Sequence, residues 1–281
     1  MTITDQTQTT TKTRSTLEDF KAKVDRVVAE HPVVVDNRYT KWFATGEASR
    51  DEVRHLAQQF SVFSHLFVEA QLRKVINSAD IDSYHAGKEI LMNELGVVFR
   101  PLKGTTTAGD DIDPELVSTE GTVDGSRYRH PAAHFEWLIR FAKPIGLDFD
   151  QMGKRRHGTD STLFFCDELL RIYGHEDPSI AEGASYAVEN WAAAGFWKEL
   201  IAGLQAFKER ECAELNLSFW TWHDKVEDQH AAHTADELVE AFETDEFDEE
   251  KFLQGAAEML EGVKAFWDGL EQDRVNQRTA K

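Results

Sequence analysis

Residues 49–78 constrain this chain most. Leu56, Phe60, Phe63 and Phe67 repeat at helical spacing and form one apolar stripe. Val62, Leu66, Leu72 and Ile76 lie elsewhere around the same cylinder. Ser49 and Glu52 have the spacing of a capping box that would start it. A surface helix needs one apolar face, whereas a helix apolar on most sides belongs at the centre of a bundle. Glu69 falls on this helix and is expected to share its buried surroundings.

The remaining segments supply helices to wrap around it. Residues 16–30 read as a helix, with Ser15 and Glu18 at capping-box spacing and an end at His31-Pro32. A short segment runs from Asn37 to Thr45 and closes at Gly46. Residues 80–96 form the next helix, stopped by Gly96. Pro131 suits a first helical position, and the helix it opens runs through HFEWLIRFA to about Lys143. Helices are expected over 160–173, 178–210, 212–241 and 248–278. No alternating strand pattern or internal repeat is present. The fold class is therefore all-α, a single helical bundle over 16–281 behind a flexible, Thr-rich lead at 1–15. Between the 80–96 helix and the one that Pro131 opens, residues 97–130 lose all periodicity and read as an insertion or long loop.

Composition narrows the function classes. The net charge is −20, which repels nucleic acid and anionic membrane surfaces. No apolar run approaches the ~20 residues needed to span a bilayer. Two cysteines, Cys166 and Cys212, make no disulfide framework; they follow helical apolar patterns and read as small core residues. The start lacks an apolar signal region, so a cytoplasmic protein is expected. Residues 236–261 hold eleven acids and one lysine. A solvated helix surface explains that run most simply, and a docking site for a basic partner is the alternative.

The densest chemical signal is FWTWHDKVEDQHAAH, residues 219–233. At about 3.6 residues per turn, His223, Glu227 and His230 fall on one narrow stripe. Two imidazoles and a carboxylate on one stripe can reach a single metal ion, and that ligand mix suits iron, manganese or zinc. Asp224, Asp228 and His233 lie off the stripe. Glu189 is flanked by Tyr186, Ala187, Val188, Trp191, Ala192 and Ala193. A carboxylate there is costly to bury unless paired or metal-bound. Glu94 has a similar setting beside Ile90, Leu91 and Leu95, and His134 shares a face with Leu138 and Phe141. The plain alternatives are a half-exposed Glu near a helix end and a satisfied core histidine. His55, His157 and His175 sit in polar surroundings and are expected to be exposed. Three Glu and three His on four helices make an inventory suited to two metal ions in a bundle core, although the paired Glu-x-x-His motifs of the best-known di-iron bundles are missing.

The chain resembles the haem-oxygenase-like di-iron oxidases and oxygenases from about His31 to Leu238. The resemblance rests on N-E-L-G at Asn93–Gly96, A-H-F-x-x-L-I-R-F at Ala133–Phe141, V-E-N-W at Val188–Trp191 and W-H-x-x-x-E-x-x-H at Trp222–His230. It implies a single haem-oxygenase-like bundle in which Glu94, His134, Glu189, His223, Glu227 and His230 hold two Fe(II) ions that react with O2. The family often has Asp where this chain has Glu227, which leaves Asp228 as a fallback. The segment between Glu94 and His134 is far longer than usual, so His130 or His85 are alternatives to His134. Glu69 lies twenty-five residues before Glu94. The N-oxygenating members look similar there, with an additional Glu near one iron; otherwise Glu69 is a buried Glu paired to Arg73 or His65. The resemblance thus implies N-oxygenation of an amine, amino-heterocycle or guanidine in natural-product biosynthesis. It also implies an external reductant such as a ferredoxin or reductase, and a homodimer.

Two alternatives remain within this architecture. One is oxidative C–C cleavage or desaturation of an amino acid or fatty acid, which wants a cation aimed at a carboxylate; Arg73, Arg140 and Lys198 are candidates. The other is a metal-free relative, similar to thiamin-related hydrolases or cofactor-free oxidases, or a haem binder with His31 as its proximal ligand. An acidic, non-enzymatic binding protein has only the 236–261 run in its support.

Overall fold

The computed structural model describes residues 14–97 and 133–279, with the side chains of 226–237 excepted. All but two residues of the expected 1–15 lead, and nearly all of the 97–130 insertion, therefore lie outside the described residues. Among the described residues there is no strand. The helices are α1 (Leu17–Val27), α2 (Pro32–Val35), α3 (Arg38–Phe43), α4 (Arg50–Ile76), α5 (Ile81–Glu94), α6 (His134–Ala142), α7 (Asp160–Glu168), α8 (Pro178–Ala192), α9 (Phe196–Glu211), α10 (Ser218–Glu243) and α11 (Glu249–Thr279).

Helix α4 takes the central place expected of it. The Ser49 side chain accepts from the Glu52 amide, and the Glu52 carboxylate accepts from the Ser49 amide, closing the capping box. Phe60 and Phe63 sit 4.5 Å apart at the heart of the core, against Trp220, Phe165 and Phe266. The last turns of α4 differ from expectation. Leu72 and Ile76 are 49% and 71% exposed. Glu69 is exposed too, so the apolar sheath expected around it is absent.

Other departures have local causes. The α1 cap is Thr16, which accepts from the Asp19 amide; Ser15 instead bonds Glu249 at the start of α11. The expected helix over 178–210 breaks into α8 and α9, because Gly195 adopts φ +94°, a left-handed conformation open to glycine. The expected helix over 212–241 starts only at Ser218, after an irregular link tied by Lys208 to the Leu215 carbonyl. After α7 the chain widens into one π-helical stretch, Leu169–Tyr173, which packs on α4. His55, His157 and His175 are half-buried, not exposed, and each is hydrogen-bonded: His55 to Asp273, His157 to the Asp150 carbonyl and His175 to the Asp177 amide. Both cysteines are buried as expected, and burial pushes the Cys166 thiol up to about 12.

Four acids of the 236–261 run are bound within the chain. Glu249 meets Ser15 and Lys23, Glu258 meets Arg171, Glu261 faces His31, and Asp248 accepts from the Glu250 and Lys251 amides. The run thus helps to fasten α1 and the π-helix to α11.

The tightest helix pair is α8 with α11. A methyl group on Gly183 would overlap the Phe252 carbonyl oxygen, and one on Gly255 would overlap the Ile180 carbonyl oxygen. Neither obstacle is a flexible side chain, so the helices would have to separate. Gly183→Ala and Gly255→Ala are each expected to cost about 1–3 kcal/mol in urea unfolding, the usual range for an overpacked core. Full stability in both variants would show that the helices do not approach this closely.

Candidate metal centre

Three of the six expected ligands are neighbours, with His134 between Glu94 and His223. Glu94 ends α5, where Gly96 takes over with φ +73° and stops the helix. His134 is the first residue of α6, whose N-terminus is tied by the Ala133 amide to the Glu136 carboxylate. His223 lies in the second turn of α10. Glu94 Oε2 is 3.2 Å from His134 Nδ1, with side chains 17% and 7% exposed. The His134 and His223 rings are 5.1 Å apart.

The details of these contacts suit metal ligation. His134 Nδ1 is buried without a hydrogen-bond partner, at ion-pair distance from Glu94. A buried imidazole nitrogen beside a carboxylate oxygen is a donor pair that suits a shared cation. His223 Nδ1 lies 2.6 Å from the Phe219 carbonyl, which only an N–H can satisfy. That bond fixes the tautomer and puts the lone pair on Nε2, the usual support for a ligating histidine.

Aromatic rings wall the group. Trp222 and Trp137 stand 4.8 and 5.1 Å from the His134 ring. Trp197 stacks on His223 at 4.9 Å and 22°, and Phe219 lies 4.2 Å from it. Apolar walls exclude water and strengthen every charge interaction inside.

The other expected residues stand as follows. Glu189 is half-buried on α8, which packs along α10, and its charge adds to the burial that raises the Tyr173 phenol. Helix α10 runs unbroken across positions 223, 227 and 230, but the side chains of Glu227, His230, Asp228 and His233 lie outside the described residues, as does His130. Among the described residues, no three His, Cys, Asp or Glu side chains are grouped so that they could hold a metal ion. His85 is exposed beside Tyr84 and away from the role of alternate ligand. Glu69 lines a surface groove of about 570 Å³ with Arg73, Asn77, Arg171 and His175. Arg73 is not its partner: the guanidinium donates to the Leu170 carbonyl. Of the cations weighed for a carboxylate substrate, Arg73 is thus occupied at the π-helix, Lys198 is exposed, and Arg140 is half-buried on α6. His31 caps α2 through Nδ1, and its Nε2 faces Glu261 at 3.4 Å. Both ring nitrogens of the one histidine weighed as a haem ligand are engaged.

Sequence reasoning missed two features. One is the aromatic wall, which is spread over α6, α9 and α10 and has no local motif. The other is the setting of His65, named from the sequence only as a partner for Glu69: its ring stacks on Phe135 at 3.9 Å. Burial, with Lys154 nearby, holds its pKa below the ordinary 6.5, against a smaller opposing effect of Glu69. Its Nδ1 is a second buried nitrogen without a hydrogen bond.

No protein-family model and no curated protein matches the chain. A solved structure does: a domain of unknown function with a haem-oxygenase-like fold from Shewanella denitrificans. The two superpose with a TM-score of 0.59 over 96% of this chain and 97% of that one, at 15% identity. The chain therefore has the haem-oxygenase-like helical fold, and the likeness carries the fold alone. No described helix is long and apolar enough to cross a membrane.

The depressed His65 pKa sets a pH dependence. The unfolded imidazole takes up its proton near pH 6.5 and the folded one only at lower pH, so stability falls as pH drops through that window. A His65→Leu variant is expected to lose this part of the acid sensitivity, read as the urea midpoint across about pH 5 to 7. An unchanged slope would show that His65 titrates normally.

Proposed function

We propose that this chain is a non-haem di-iron oxygenase that N-oxygenates a small amine, amino-heterocycle or guanidine. The observation that carries the metal part is that His134, its Nδ1 buried, lies against both Glu94 and the His223 ring beside an aromatic wall. Glu189, Glu227 and His230 would complete the set for two ferrous ions. The choice of N-oxygenation rests on the Glu at position 69 of the long helix.

Bound there, two ferrous ions supply electrons and open coordination positions for the reduction of O2 and transfer of one oxygen atom to nitrogen. The chain's own residues prepare that site. Glu94 would offer negative charge against the cations, and His134 a ring nitrogen already buried from water. The Phe219 carbonyl holds the His223 proton on Nδ1, so the ring cannot turn to its other tautomer without losing a bond. Trp137, Trp197, Phe219 and Trp222 keep solvent from the reacting atoms. An external reductant such as a ferredoxin or reductase would have to supply the electrons for repeated turnover. We further propose a cytoplasmic homodimer.

Incubating the iron-loaded protein with reductant, isotopically labelled O2 and a panel of small amines tests this reading. An N-hydroxylated product carrying one labelled oxygen is the expected result. Glu94→Ala, His134→Ala and His223→Ala should each weaken iron binding roughly tenfold or more. Glu69→Ala should keep its iron and lose the product. A fully active Glu69→Ala enzyme would remove the basis for N-oxygenation, and carbon–carbon cleavage or desaturation would then be the better assignment.

A further inference from the structure

Among the described residues, six tryptophan indole nitrogens are buried without a hydrogen-bond partner: those of Trp42, Trp137, Trp191, Trp197, Trp220 and Trp267. A buried indole N–H usually finds an acceptor, and each exception needs an explanation. Four of the six are joined by ring contacts into a line from the candidate metal centre to the far side of the core. Trp197 stacks on His223. Phe196 bridges Trp197 at 4.6 Å to Trp191, on which it lies nearly parallel at 4.7 Å and 7°. Phe196 also meets Trp267 at 5.5 Å, and Trp191 meets it at 6.4 Å. Trp267 then contacts Tyr39 at 5.7 Å, and Tyr39 contacts Trp42 at 5.4 Å.

We propose that Trp197, Trp191, Trp267 and Tyr39 form a relay that carries an oxidising equivalent from the candidate metal centre to Tyr39. Trp197 would lose one electron to a strong one-electron oxidant generated beside His223. Trp191 or Trp267 would refill it, and Tyr39 would refill Trp267. A tryptophan radical cation is acidic, but these indoles have no acceptor for the proton, so the radical keeps its charge and its oxidising power and passes the vacancy on. Tyr39 ends the line for two reasons. The guanidinium groups of Arg274 and Arg278 lie 4.5 and 5.0 Å over Trp42, and positive charge there opposes its oxidation. Burial is the largest influence on the Tyr39 phenol; among the charges, the carboxylates of Glu52, Glu271 and Asp273 outnumber the opposing Arg274 guanidinium and favour positive charge next to it. The oxidised phenol would release its proton to this carboxylate cluster or to water. A small thiol or ascorbate-class reductant would return one electron, and the proton would return with it. The relay would thus discharge an oxidant formed when no substrate is present, sparing His223 and the walls of the pocket. That use rests on the proposed oxygen chemistry, whereas the conduction itself does not.

Photo-oxidation of the full chain without added iron tests the relay separately from the metal reading. Lys225 is exposed two residues beyond His223, and both native cysteines are buried. A Lys225→Cys variant can therefore be labelled with a ruthenium polypyridyl photo-oxidant and fired in the presence of an electron acceptor. Transient absorption and electron paramagnetic resonance should show a tryptophan radical that gives way to a tyrosyl radical. Tyr39→Phe should abolish the tyrosyl signal and prolong the tryptophan one. Trp267→Phe should slow tyrosyl formation at least tenfold, and Trp197→Phe should do the same if the first variant does not fold. A tyrosyl signal that survives Tyr39→Phe, or forms at the same rate in a folded Trp267→Phe or Trp197→Phe protein, would overturn the relay. So would the absence of any radical beyond the label.

Discussion

Glu94 and His134 are held together in a place mostly closed to solvent. Their atoms approach to 3.2 Å, and the imidazole Nδ1 is buried without a hydrogen-bond partner. Leaving such a group unsatisfied costs about 1–3 kcal/mol. A folded chain tolerates that cost where something else is meant to occupy the gap. Much of the architecture converges on it: Gly96 stops α5 at Glu94, the Glu136 carboxylate ties the start of α6 at His134, and the Phe219 carbonyl orients His223 on α10.

The same aromatic wall that dries this pocket also exposes the protein to oxidation. Trp197 and Trp222 lie within 5.0 Å of the His223 ring. A site of this kind needs either strict coupling of oxidant to substrate or a way to discharge it. The unpartnered indoles between Trp197 and Tyr39 lie where a discharge path would run.

Much of the fold was legible in the sequence because it depends on helical period and on caps. The stripe of Leu56, Phe60 and Phe63, the Ser49–Glu52 box and the Gly96 stop all appear in the structure in the roles assigned to them. The errors were local. Periodicity alone did not reveal that Gly195 splits one long helix, because both halves keep helical spacing on either side of it. The apolar run of α4 suggested burial along its whole length, whereas its last turns carry exposed Leu72 and Ile76, and Glu69 with them. An apolar side chain shows preference for burial, not the presence of a neighbour. In the centre itself, Glu94, His134 and His223 could be picked out by motif. The walls could not, because Trp137, Trp197 and Trp222 come together only in three dimensions.

The central claim is that this bundle holds two irons, and anaerobic Fe(II) titration of the metal-free protein read by Mössbauer spectroscopy tests it most directly. A di-iron centre requires uptake of two ferrous ions per chain and, after O2 is admitted, a coupled diferric signal. Saturation at one equivalent or less, with only isolated ferric iron after O2, would contradict it.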